Sequence, residues 1–331
     1  MGVTTVSTFP PIGDYAFLSN CEQNCLVAPD GAVEWMCLPR PDSPSVFGAL
    51  LDRTAGAFRF GPANAQVPQN RRYVPGTMVL ETSWQTPTGW LTVYDLLVMG
   101  PTPHGQRRAD YHRAPTDAGA AGVLLRLATC TSGRVEVLVN CSPLFNYGTT
   151  GGAWTYNGDG YDSMRVAPRE GPLELNVTGS IPLGVLSSRG YGRTTIAAGE
   201  SAFVTLSWGG TTIPATQDEA FSALNSTIDF WRGWLSTAKV PDHPWRIYLD
   251  RSALTLKGLS YCPTGAIMAA ATTSLPETPG GARNWDYRYT WIRDSAFMLR
   301  ALYRLGFDWE AVEYFAFVID AISGVDLNRP L

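Results

Sequence analysis

Asn284–Asp294 reads NWDYRYTWIRD, with four aromatic rings, two arginines and two aspartates in eleven residues. Flat rings offer apolar faces on which a sugar ring stacks, and arginine and aspartate grip adjacent hydroxyls, so the composition suits a carbohydrate pocket. The stretch runs into 292–305, whose pattern predicts a helix stopped by Gly306. Arg293 and Asp294 therefore fall at a loop-to-helix junction, where side chains can face a cavity while the helix holds them rigidly. A purely structural reading fits the same residues. In it Asp294 complements the helix dipole, Arg293 pairs with it, and Trp285, Tyr287, Tyr289 and Trp291 fill core. Composition alone leaves both readings open.

Working outward, a further helix is predicted over 309–322, and another from about Trp245 to Gly258 with Leu249, Ala253 and Leu256 on one face. Between them, TGAIMAAATTSLPETPGGARNWDYRYT (264–290) is rich in small residues, prolines and paired glycines and reads as an extended hairpin or loop. Upstream, Phe221, Leu224, Ile228, Trp231 and Leu235 recur at intervals of three and four, a helical stripe. From about residue 22 to 212 the pattern is different. Short β-branched and aromatic runs alternate with Gly, Pro, Asn and Asp, as in TMVLETSWQT then GWLTVYDLLV across a Thr-Pro-Thr turn, and VLLRLATCT then GRVEVLVNCS across Ser132. The expected organisation is an antiparallel β-sandwich over 1–212, a linker helix over 213–240 and a helical region over 241–331.

Bulk properties narrow the function. The chain has 331 residues, 45% hydrophobic and 16% charged, with 33 Gly and 24 Pro, which describes a turn-rich globular protein. A net charge of −4 provides no basic field for nucleic acid, so a small neutral ligand is expected. The first residues lack the layout of a secretory signal, and no apolar run approaches the ~18 residues that span a bilayer, which makes a cytoplasmic location without a membrane partner the default expectation. The six cysteines, Cys21, Cys25, Cys37, Cys130, Cys141 and Cys262, form no C-x-x-C pair and read as buried free thiols, with no metal site expected. No G-x-S-x-G elbow, Walker loop or H-E-x-x-H occurs, which disfavours serine, nucleotide and zinc chemistry.

NWDYRYTWIRD followed by SAFMLRALYRLG resembles the signature at the start of the helical barrel in glycoside hydrolase family 15, the glucoamylase and trehalase group. IGDYAFLSNCEQNCLVAPDGAVEWMCLPRPDSPSVFGALLD and DHPWRIYLDRSALTLKGLSYCPTGAIMAAATTSLPE resemble the bacterial branch that includes actinobacterial α,α-trehalases. The resemblance runs from about Phe9 to Leu331. It implies that 241–331 is the first, incomplete part of an (α/α)6 barrel behind the β-sandwich. It also implies inverting hydrolysis of an α-glucosidic bond, with α,α-trehalose favoured. A glucoamylase or isomaltose-directed enzyme is the alternative within the family, and a non-catalytic sugar-binding protein the alternative outside it.

Carried over by position, Tyr287 and Trp291 would shape a glucose pocket, while Arg293 and Asp294 would hydrogen-bond its hydroxyls. Trp285 and Tyr289 are weaker candidates, as are Arg40 and Asp42 on the Pro-rich loop CLPRPDSPSVF. The general acid and base are expected beyond Leu331, so no catalytic residue is assigned and the 331-residue chain alone is expected to be inactive. No cofactor is evident, although the resemblance brings in phosphate and magnesium, which are associated with some trehalases of this branch. The segment HGQRRADYHRAP (104–115) reads as a solvated loop, with anion binding the alternative. Oligomerisation is left open. Met298, Leu299, Leu302, Phe315 and Val318 are expected to lie on exposed apolar helix faces.

Overall fold

The structure is a computed structural model that describes residues 9–99, 120–210, 213–274, 277–278 and 281–323. The short alternating runs form β1 (Ala16–Ser19), β2 (Asn24–Val27), β3 (Ala32–Cys37), β4 (Ser45–Phe47), β5 (Ala57–Pro62), β6 (Asn70–Tyr73), β7 (Leu80–Thr86), β8 (Gly89–Met99) and β9 (Ala120–Ser142). They continue as β10 (Thr150–Tyr156), β11 (Ser163–Pro168), β12 (Leu175–Gly179), β13 (Leu183–Leu186), β14 (Arg189–Ala197) and β15 (Ser201–Ser207). These pair antiparallel into one 15-stranded sheet ordered β1-β2-β3-β5-β9-β15-β12-β11-β10, with the other strands branching from β3, β8 and β9. The β7–β8 hairpin closes Thr86 against Gly89 around Pro87 and Thr88, as its turn residues predict.

At Ser132 the expectation of two strands is overturned, because β9 runs on for 23 residues. Ser132 and Gly133 look like a turn locally, but they do not reverse the chain. Trp90 pairs with Ser132 and Leu91 with Cys130, which leaves Thr131 as the extra residue of a β-bulge, and Gly133 is left-handed with φ 69°. A Cβ on Gly133 would lie 2.1 Å from the Thr88 carbonyl oxygen, so only glycine fits there. The bulge passes β9 from one half of the sheet to the other. Before it β9 pairs with β8 and β15, and after it with β5 and β14. One buried cluster takes Val33, Phe58 and Val137 from one half and Leu91, Val177 and Leu206 from the other, so the two halves enclose a common core.

Arg126 sits inside that core with no exposed side-chain surface. Its Nε donates to Asp95 Oδ1 at 2.7 Å, its Nη1 to the Phe58 carbonyl at 2.6 Å and its Nη2 to the Gly31 carbonyl. The guanidinium also lies 5.0 Å from the Phe58 ring centroid. One charge thereby ties β8, β5 and the turn before β3 to β9.

Among the described residues four α-helices of 13–20 residues and the single-turn α1 accompany the strands. α1 (Phe145–Gly148) is a single turn inside the β-region, whose central residues Asn146 and Tyr147 are left-handed. α2 (Gln217–Ser236) starts on a capping box in which Thr216 and Glu219 each accept from the other's backbone N–H. Its buried face is Ala220, Leu224, Thr227, Phe230, Trp231 and Trp234, rotated slightly from the predicted stripe, so that Phe221, Ile228 and Leu235 are only half-buried. Val123, Leu125 and Leu127 of β9 meet this face through Leu224, while Leu124 and Ala128 turn to the sheet core, the period-2 alternation of a strand covered on both sides. Then come α3 (Arg246–Gly258), the two-residue strands β16 (Ser260–Tyr261) and β17 (Ala266–Ile267), α4 (Ile292–Arg304) and α5 (Trp309–Ile322). Gly306, with φ 88°, ends α4 where the sequence placed a stop.

The helices close over their own buried cluster. Trp234 stacks on Phe307 with centroids 4.1 Å apart, and Met298 and Leu302 are buried, contrary to expectation, because α4 turns that face toward α2 and α3. Phe315 is exposed as expected, and Leu299 and Val318 are half-buried. The exposed apolar residues of the helices also include Phe297, Tyr303 and Ile319. Beneath, Lys257 Nζ sits 3.0 Å from Glu310 Oε1, which also accepts from Trp234 Nε1 at 3.0 Å. All six cysteines are buried free thiols. Among the described residues no helix is long and apolar enough to cross a membrane.

Two stability measurements follow from these buried charges. Arg126→Met leaves Asp95 buried without its partner and is expected to lower the unfolding free energy by about 3–5 kcal/mol in urea titrations. Adding Asp95→Leu should recover part of that loss; equal losses in single and double variants would remove the ion pair as the cause. Burial pushes the Glu310 carboxyl up, but the Lys257 ammonium and the Trp234 indole outweigh it and hold the group below its ordinary 4.5. Its contribution is therefore complete above pH 4.5 and declines as pH falls further. Thermal melts of the wild type should weaken on that acid side, and Glu310→Gln should flatten the dependence while lowering stability at neutral pH.

Candidate functional site

Residues 284–290 run beside 269–274, extended as far as Asp286 and then turned through Tyr287 and Arg288. Ala270 N–H donates to the Tyr287 carbonyl at 2.8 Å, Ala269 N–H to the Tyr289 carbonyl at 3.2 Å and Ser274 N–H to the Trp285 carbonyl at 2.7 Å. Within the turn Arg288 N–H donates to Asp286 Oδ1 at 3.0 Å, which brings the Asp286 and Arg288 side chains together. The neighbouring run is pinned to the β-region in turn, since Trp35 Nε1 donates to the Ala271 carbonyl at 2.8 Å.

Arg288 is 5% exposed. Its Nη2 donates to Asp286 Oδ2 at 2.7 Å and to the Tyr147 hydroxyl at 2.8 Å, and its Nη1 donates to the Ser43 carbonyl at 2.7 Å, the Pro41 carbonyl at 3.3 Å and the Cys37 sulfur at 3.3 Å. Burial works against its charge, but these partners reverse the effect and hold its pKa above the ordinary arginine value. Burial likewise pushes the Asp286 carboxyl up, yet the Arg288 guanidinium and backbone N–H bring it below the usual carboxylate range. Burial pushes the Cys37 thiol up to about 11, so the sulfur meets Arg288 as a neutral thiol. Asp286 is thus a permanent anion committed to Arg288. No local pattern marks Arg288, because its partners come from 37–43 and 147; the one local feature is the Asx turn in which its N–H donates to Asp286 Oδ1.

The predicted residues fall into three groups. Tyr287 and Trp291 pack with ring centroids 5.3 Å apart, and Trp291 Nε1 donates to the Asp286 carbonyl at 3.3 Å. Arg293 lies 5.8 Å from the Trp291 ring centroid and pairs with Asp294 at 3.2 Å in the first turn of α4, so these four form one continuous patch. Tyr289 instead joins Arg40 and Asp42 around a cavity of about 380 Å³, walled by Pro41, Tyr261, Met268, Arg288 and Phe317 among others. Arg40 clamps Asp42 with Nε to Oδ1 at 2.9 Å and Nη2 to Oδ2 at 2.6 Å. Trp285 stands apart, its Nε1 3.4 Å from Glu277 Oε1.

The chemistry available here is recognition. Asp42, Asp286 and Asp294 each face an arginine, and Glu277 faces Arg283 at 3.7 Å. Glu22 has its carboxyl pushed upward by burial, but it does not line the cavity. Among the described residues no group of three or more His, Cys, Asp and Glu converges as a metal cluster. The segment 104–115, a candidate for anion binding, lies outside the described residues.

Residues 5–180 match the family described as trehalase-like, N-terminal, and residues 245–326 match glycosyl hydrolases family 15. A trehalase of Mycobacterium tuberculosis is 51% identical over 97% of this chain and 48% of its own length. One from Mycolicibacterium smegmatis is 50% identical over 98% and 49%, and one from Thermoplasma volcanium is 30% identical over 96% and 49%. The chain spans about half the length of these curated relatives. Among solved structures, a bacterial glucoamylase complexed with acarbose is similar in fold, with a TM-score of 0.58 and 12% identity, over 97% of this chain and 52% of that one. A trehalase-like N-terminal region followed by a family-15 region, in the order the two matches occur, places this chain in glycoside hydrolase family 15.

Proposed function

We propose that the chain belongs to an inverting α-glucosidase whose substrate is α,α-trehalose, and that it supplies the part of the site that grips the sugar. The observation that carries this reading is the patch Tyr287–Trp291–Arg293–Asp294, where two packed rings adjoin a paired guanidinium and carboxylate. Rings of this kind cover the apolar face of a glucose, and the Arg–Asp pair presents donors and acceptors to its hydroxyls. Trehalose is preferred to maltose or isomaltose because trehalases are the relatives at 50% and 51% identity. Arg40, Asp42 and Tyr289 would flank the patch from the neighbouring cavity, with Trp285 at its outer edge.

In the proposed organisation, 1–212 is a β-sandwich, 213–240 links it to the helices, and 241–331 contributes α3, α4 and α5 to an (α/α)6 barrel. The similarity in fold to a glucoamylase supports that arrangement. Inverting hydrolysis needs one carboxylic acid to protonate the leaving oxygen and one carboxylate to activate water. The carboxylates beside the aromatic loop are committed to arginines, so we assign the acid and base to other parts of the whole protein. Acid, base and water suffice for the step without phosphate or magnesium.

The test is glucose release from trehalose, maltose and isomaltose by the full-length protein, with the anomers followed by proton NMR from the first turnovers. Inversion of trehalose yields α- and β-glucose in equal amounts, because only one of the two anomeric carbons is attacked; α-glucose alone would show retention. Faster turnover of maltose or isomaltose would move the reading to the glucoamylase side of the family. Asp294→Asn weakens the hydroxyl grip and is expected to reduce kcat/KM for trehalose about 10- to 100-fold, in line with the ~1.5–3 kcal/mol of a hydrogen bond to a charged group. An unchanged kcat/KM would remove Asp294 from the site.

A further inference from the structure

The contact between Tyr147 and Arg288 reaches from the β-region to the aromatic loop. Asn146, Tyr147 and Gly148 are left-handed in succession, with φ of 51°, 57° and 86°. They form the hairpin turn between β9 and β10, where Phe145 pairs with Thr150, and left-handed residues reverse the chain tightly there. Tyr147 is 42% exposed, so core packing alone does not set its side chain. What the turn delivers is a hydroxyl 2.8 Å from Arg288 Nη2, with the guanidinium 5.6 Å from the ring centroid. Pro41 and Ser43 close on the same guanidinium from the other side with their carbonyls.

We infer that Arg288 is a positioning residue of the proposed sugar site, and that the left-handed Asn146–Tyr147 turn of the β-region sets the aromatic loop through it. The inference rests on the sugar-site reading above and adds what gives that site its shape. Arg288 sits in the turn between Tyr287 and Tyr289, so fixing its guanidinium anchors the backbone from which both rings project. Its carboxylate partner Asp286 offers its own carbonyl to Trp291 Nε1, which extends the constraint to the third ring. Rings held in advance lose less conformational freedom when a ligand arrives, so the Asn146–Tyr147 turn contributes to affinity without touching the ligand.

Tyr147→Phe in the full-length protein removes one hydroxyl and keeps the ring. It is expected to raise KM for trehalose about 5- to 10-fold with kcat little changed, the pattern of lost ground-state binding. The melting temperature should stay at the wild-type value. Arg288→Lys keeps the charge but loses the planar fork, and should raise KM further. Amide hydrogen exchange across 284–291 should quicken in both variants without substrate present. A lower melting temperature with KM and exchange unchanged would make the contact a stability device only and overturn the inference. If the wild-type protein leaves trehalose intact, the sugar reading falls by itself; exchange then decides the rest, with faster exchange in Tyr147→Phe sustaining the strut and unchanged exchange refuting it.

Discussion

The structure depends on a strand that belongs to both halves of its sheet. β9 keeps one direction through 23 residues and pairs with β8 and β15, then with β5 and β14, so the two halves cannot move apart without breaking it. A strand covered on both faces must hide a side chain at every position near its middle. Val123, Leu125 and Leu127 do so against the layer that α2 covers, and Leu124 and Ala128 do so in the sheet core. Arg126 occupies the same inner face as Leu124 and Ala128. Its burial is tolerable because Asp95 neutralises it and two carbonyls take its remaining donors.

The same device recurs where the β-region meets the helices. Arg288 is also buried, also paired with one aspartate, and also spends its other donors on carbonyls from a distant loop. A planar fork with five N–H donors can satisfy partners from three chain segments at once, which an ammonium cannot. Apolar packing alone would leave the aromatic loop free to slide over the β-region, since the hydrophobic effect has no direction. Directed bonds to Ser43 and Tyr147 fix its register. The loop's exposed rings can then stay uncovered by protein and still keep one orientation.

The legible parts of the sequence were those whose signals are local. The bounds of α5 and the stop of α4 at Gly306 could be read because helical spacing and a left-handed glycine act within a few residues. The hairpin around Pro87 and Thr88 could be read for the same reason. Ser132 and Gly133 misled because their direction depends on the Thr88 carbonyl and on the bulge opposite Trp90 and Leu91, neither of which is written into the segment. Met298 and Leu302 were expected at the surface because the rotation of α4 depends on α2 and α3. Arg288 is not legible locally, since its anchors outside the loop lie from 141 to 251 residues away in the chain.

The charges around the loop also bear on what it can hold. Asp42 with Arg40, Asp286 with Arg288 and Asp294 with Arg293 are pairs formed between near neighbours in sequence, so each is complete before any ligand arrives. Local pairing leaves little net field, and an ionic ligand would have to compete with the partner already in place. A neutral ligand with many hydroxyls meets no such competition, because each hydroxyl can donate to a carboxylate oxygen and accept from a guanidinium N–H without separating the pair. Arg288 also holds the Asp286 carboxyl below the usual carboxylate range, which unfits it to deliver a proton to a leaving oxygen, a task that requires a carboxyl with a raised pKa. Neutral pairs and uncovered rings therefore favour binding over bond cleavage in this part of the protein.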